Sequence, residues 1–159
     1  MTLTLDPPAT SFVVAGTALL VIAQGALMLV DEQLFHRRRG LGSFERWGHP
    51  VDTTVFLAAA ALPALAPLSA SLAGAYAALA TFSTLLVTKD ELIHARECRP
   101  VEHWVHAVLF AVHGPILIGL GILWAVDAGY AVRLAVPLAA MAVLTVQVGR
   151  WIIPTRGRS

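Results

Sequence analysis

The chain has 159 residues, 57% of them hydrophobic and only 13% charged, with a formal net charge of +1. Soluble domains carry closer to a quarter charged residues, so this composition, with a mean hydropathy of +0.73, excludes an ordinary soluble domain and indicates one small membrane domain, 1–159. The balanced charge favours no class of partner, and the single cysteine, Cys98, excludes an internal disulfide.

In chain order, the N-terminus lacks a basic region, so no cleavable signal peptide is expected. Apolar runs then follow at 11–30, 51–68, 70–87, 104–126 and 128–149. A bilayer core takes about 20 apolar helical residues, so the pattern predicts an all-α bundle of about five transmembrane helices. The second run is short and holds Pro63 and Pro67, which leaves a re-entrant or four-helix arrangement as the alternative. No run alternates with period two, as half-buried strands would, and lipid forces any spanning segment into a helix or a closed barrel.

Basic residues predict the orientation. Arg37, Arg38, Arg39 and Arg46 separate the first two runs, Lys89, Arg96 and Arg99 the third and fourth, and Arg150, Arg156 and Arg158 follow the fifth. With five spans these segments share one side, and only Arg133 falls on the other. The positive-inside rule makes that side cytoplasmic. A multi-pass cell-membrane protein with its N-terminus outside and C-terminus inside is expected.

Two stretches resemble each other. DEQLFHRRRGLGSFERWGHPVDT begins at Asp31 and DELIHARECRPVEHWVH at Asp90. Each reads acid-acid, His, a basic loop, then Glu-x-Trp-x-His. Glu45, Trp47 and His49 correspond to Glu102, Trp104 and His106, and His36 to His94. The expected organisation is two helix-pair repeats, 11–68 and 70–126, with an extra helix at 128–150. On DExxFH, ERWGHPxD and the ExWxH motif, the chain resembles small bacterial integral-membrane proteins, a resemblance that implies no named activity.

Eight of the ten acids and nearly all histidines fall in these stretches. Ionisable groups at membrane depth are costly and tend to be functional. Glu45 and Glu102 also suit a capping or water-facing role in a first helical turn, and Arg37, Arg38 and Arg39 a headgroup-facing topology signal. The candidate metal ligands are Glu32, His36, His49, Asp52, Glu91, His94, His106 and His113. Glu32 and His36 lie four apart on one helix face, and Glu91 and His94 form Glu-x-x-His. The choice between Asp31 and Glu32, and between Asp90 and Glu91, stays open. Pro50 disfavours helix at His49, so the second helix is expected to begin at Pro50 with His49 as a loop ligand above it. Glu102, His106 and His113 share one face, but Glu102 and His113 stand about 16 Å apart at about 1.5 Å rise per residue, too far to serve one ion. His106 and His113 can line one elongated site, whereas His103 points away. Gln24 and Ser83, each seven residues before an acid pair, are placed for hydrogen bonds deeper in the bundle.

Carboxylates and imidazoles from several helices suit a pair of iron or manganese ions, in the ligand style of ferritin-like bundles, or zinc. The surrounding acids argue against haem. The leading function is a redox enzyme with a dinuclear, iron-type site near the cytoplasmic face, acting on a lipid-soluble small molecule. A metal-dependent membrane hydrolase and a metal-ion transporter or sensor are the alternatives. No phosphate loop, dinucleotide fingerprint, nucleophile elbow or nucleic-acid motif is present.

Overall fold

The computed structural model describes residues 4–90 and 98–153, with the side chains of Arg39 and Asp90 set aside. The described residues form an all-helical bundle of five long helices, with no strand among them. Helix α1 is Pro7–Val30, α2 Ser43–Leu65, α3 Ala70–Leu86, α4 Pro100–Ala125 and α5 Tyr130–Gln147. Two of them end in a π-helical turn, Asp31–His36 after α1 and Val148–Ile152 after α5.

Four helical segments are long and apolar enough to cross a membrane, those built on α1, α3, α4 and α5. The exception, α2, is also long but opens with Glu45, Arg46, His49 and Asp52. It is well covered by protein, packing on α3, α4 and most extensively on α5.

Helix starts follow local chemistry. Asp6 caps α1 by accepting from the Ala9 N–H at 2.8 Å, with prolines in the first turn. Pro100 opens α4 in the same way. The second helix, however, begins at Ser43, not at Pro50, so His49 is a helical residue. Glu45 turns back to accept the Gly42 N–H at 3.3 Å, and Arg46 reaches the Leu41 carbonyl at 3.4 Å. These contacts fix the first turn ahead of Pro50. The proline then costs one backbone hydrogen bond, and the packed helix continues through it.

The core joins Phe56, Ala59 and Ala60 of α2 to Tyr76, Ile116, Leu120, Trp124, Val136 and Ala140. Alanines at 59 and 60 let α4 and α5 approach. On the other side α1 lies against α4, where Gly119 meets Thr17. At the end of the bundle away from Asp31, polar side chains satisfy carbonyls near the end of α2. Arg133 donates to Pro63 O at 3.1 Å and Trp124 to Ala66 O at 2.8 Å. Arg133 also pairs with Asp127 at 3.0 Å. The bundle is thus laced at one end and carries its histidine cluster at the other.

Candidate metal centre

The centre begins with a local departure from α-helical winding. In an α-helix, residues five apart point about 140° from each other. A π-helix instead bonds i to i+5, so such residues come back over one another. Asp31–His36 is π-helical, and both Asp31 and Glu32 consequently face His36. Its Nδ1 lies 3.3 Å from Glu32 Oε2, and its Nε2 lies 3.3 Å from Asp31 Oδ2. The second oxygen of Asp31 lies 2.9 Å from His106 Nε2 on α4.

Two groups of potential ligands result, each with its ligand atoms within 4.8 Å of one another: Asp31, His36 and His106, and His36, Glu45 and His49. His36 belongs to both, and its ring stands 4.9 Å from that of His49 and 5.9 Å from that of His106. Burial is nearly complete at His36 and Glu45, which are 2% and 1% exposed.

The hydrogen bonding calls for a positive charge at His36 Nε2. Glu32 as a carboxylate only accepts, so the His36 Nδ1 must donate to it. In a neutral imidazole that leaves a lone pair on Nε2. This nitrogen makes no hydrogen bond among the described residues although Asp31 Oδ2 is 3.3 Å away. A lone pair against a carboxylate oxygen is repulsive, so a proton on Nε2 or a bound cation must lie between them. Two ligands about 2.1 Å from one metal stand about 3.0 to 3.4 Å apart in octahedral or tetrahedral geometry, close to the spacings found here. Glu32 holding Nδ1 is the outer-shell arrangement common to metal-bound histidines.

A further support comes from the far end of the chain. Trp151 and Arg150, in the second π-turn, reach Glu32 Oε1 at 2.7 Å and 3.6 Å.

Neither a family model, nor a curated protein, nor a solved structure matches this chain. The functional reading therefore rests on the site itself: buried His, Asp and Glu groups that can hold a metal, at one end of a bundle of membrane-span-like helices.

The predicted ligands are distributed as follows. His36, His49 and His106 converge with Asp31 and Glu45. Glu32 sits behind His36. Asp52 pairs with Lys89 at 2.5 Å and lines the adjoining cavity. His113 lies deeper, bonded to Ser83 Oγ at 2.9 Å and tilted on Phe56, outside both groups. Glu91 and His94 lie outside the described residues. Glu45 and Glu102, expected to cap or to face water, are both buried, so the water-facing role is corrected, while Glu45 does cap α2. The one sequence signal for this burial is the ExWxH pattern, which occurs twice: the glutamates are 1% and 3% exposed, Trp47 and Trp104 60% and 62%.

Proposed function

We propose that this protein is a membrane metalloenzyme whose Asp31–His36–Glu45–His49–His106 cluster binds a pair of iron-type ions and oxidises or reduces a lipid-soluble substrate. The observation that carries the metal is the meeting of Asp31, His36 and His106, and of His36, Glu45 and His49, each group with its ligand atoms within 4.8 Å of one another. The two ligand groups add Glu45 and His49 beside Asp31, His36 and His106, which supports room for a second ion. The all-N/O donor set fits iron or manganese, and also zinc.

Asp31, His36 and His106 would hold one ion, and Glu45 and His49 would contribute to the second. Iron bound there would supply one-electron chemistry and an open position for oxygen or substrate. The chain's own part is to fix and shield these ligands. Glu32 sets the tautomer and tilt of His36, Trp151 and Arg150 hold Glu32, and the adjoining cavity offers apolar residues to a substrate.

The clustering of ten of eleven basic residues in alternate loops supports a cytoplasmic position for the site. The matching burial in the two ExWxH motifs supports the reading of two helix-pair repeats. A site confined to one end of the bundle favours an enzyme over a transporter, which needs polar groups across its full depth. With zinc the same ligands would activate water instead, the hydrolase reading.

Elemental analysis and an optical spectrum of gently purified protein test the proposal. Near-stoichiometric iron is expected, and zinc alone would move the assignment to the hydrolase. Metal-free protein after metal-replete growth would overturn the reading.

A further inference from the structure

A cavity of about 790 Å³ joins the cluster, within the range of about 300 to 1,000 Å³ usual for small-molecule sites. Asp31, His36, His49 and His106 line one end. Ile116, Val136 and Ala140 of the core line it further in, Ile116 being about 15 Å along α4 from His106. Leu29, Phe110 and Val146 also line the cavity and are exposed on the outer surface of α1, α4 and α5. The cavity therefore meets the lipid-facing side through apolar residues from three helices.

Besides the cluster and the bonded Thr53–Gln147 pair, its polar lining has a deeper tier. Gln24 precedes Asp31 by seven residues and His113 follows His106 by seven. Helices α1 and α4 are in contact and run oppositely, and Asp31 touches His106. Gln24 and His113 thus share a tier about 10 Å deeper than the cluster. His113 is bonded to Ser83, but Gln24 Oε1 is buried with no hydrogen-bond partner among the described residues. An orphaned buried acceptor calls for a donor.

Charge narrows the ligand at the deeper tier. No lysine or arginine lines the cavity among the described residues, and the cation-binding cluster lies about 10 Å away. A phosphate or carboxylate head seated at Gln24 therefore has no cationic partner there. We propose that the cavity binds a neutral hydroxyl-bearing lipid, of the class of long-chain and isoprenoid alcohols, whose hydroxyl donates to Gln24 Oε1. The apolar chain packs along Ile116, Val136 and Ala140. This rests on the lipid-substrate part of the proposed function and is independent of which metal is bound.

The test is photolabelling of the full chain in phosphatidylcholine nanodiscs with a long-chain alcohol carrying a diazirine on its chain. Cross-links should map to the cavity helices, α1, α2, α4 and α5. Unlabelled 1-dodecanol should compete at least tenfold better than its methyl ether, which lacks the donor, or dodecanoate. Gln24→Leu should bring the alcohol down to the level of the ether, and Ala140→Phe should abolish labelling. Equal competition by all three compounds, preference for the acid, or an unchanged preference in Gln24→Leu would overturn the proposal. The competition order in the wild type decides even where a variant folds poorly. Metal content measured on the same samples separates the two readings. Lost preference with metal retained strikes only the lipid site, and absent metal with the preference intact strikes only the metal centre.

Discussion

The indole N–H of Trp151 donates to Glu32 at 2.7 Å, joining residues 119 apart in sequence. Glu32 in turn receives the Nδ1–H of His36. The π-turn after α5 therefore bears on the orientation of a buried imidazole. Trp151→Phe keeps the ring and removes the donor. It should weaken metal binding about tenfold, the lower end for outer-shell partners of metal ligands, as measured by competition with a chromophoric chelator. In a Glu32→Ala background the same change should add little, because the relay is already cut. A full additive loss would show that Trp151 acts elsewhere.

His36 is common to both ligand groups. Its Nδ1 is taken by Glu32, so its one free nitrogen serves one ion. His36→Ala and Asp31→Asn should each remove the first equivalent and Glu45→Gln the second, and the His36→Ala, Glu45→Gln double variant should lose both. Metal-to-protein ratios on folded, monodisperse samples check this. A wild type with one equivalent, lost in every variant, would mean a mononuclear site.

Chelation should destabilise the wild type. A ligand held only by the folded state stabilises it, by about 3 kcal/mol when present at about a hundredfold its dissociation constant. Its removal also leaves the Asp31 and Glu45 carboxylates buried beside the histidines without the compensating cation. The melting temperature should fall on adding chelator, and Asp31→Asn should shrink that fall. A melt indifferent to chelator, in protein shown to hold metal, would place the ions elsewhere.

The α1–α4 contact should tolerate no added methyl at its crossing. A Cβ on Gly119 would run into Oγ1 and Cγ2 of Thr17, which is buried at 4% exposure. Gly119→Ala should cost about 1–3 kcal/mol, the usual size of overpacking. Thr17→Ala in the same chain should restore most of it. Because α1 leads into Asp31 and His36 and α4 carries His106, the single variant should also bind metal more weakly. Thermal melts and metal titration on the three variants measure both effects.

Topology is open to direct labelling. In a Cys98→Ser background, Arg38→Cys should be shielded from an impermeant thiol reagent in intact cells, and Leu68→Cys should react, both positions being exposed on the protein. The reverse pattern would invert the orientation and put the metal centre outside.

Much of this protein is determined by its sequence alone. Hydropathy is a local property, so the positions of the helices were legible: lipid tolerates only segments that satisfy their own backbone. The pooling of acids and histidines at one end was legible for the same reason, since charge is confined to where helices leave the apolar layer. The membership of the centre was not. Four-residue spacing selects Glu32 as the partner of His36, but one π-turn brings Asp31 to the imidazole Nε2 as well and puts Glu32 behind the ring. The sequence pattern of an α-helix and of an α-helix with one π-turn is nearly the same, because a π-turn shifts the phase only locally. Helical spacing puts His113 on the face of His106, yet its partner is Ser83, thirty residues away on α3. The burial of Glu45, the reach of Trp151 to Glu32 and the orphaned oxygen of Gln24 likewise follow from how α1, α2, α4 and α5 lie against one another. Periodicity fixes which way a side chain points on its own helix. What it then meets is set by helix packing, and that is decided only when the small residues at 59, 60 and 119 bring the neighbouring helices into contact.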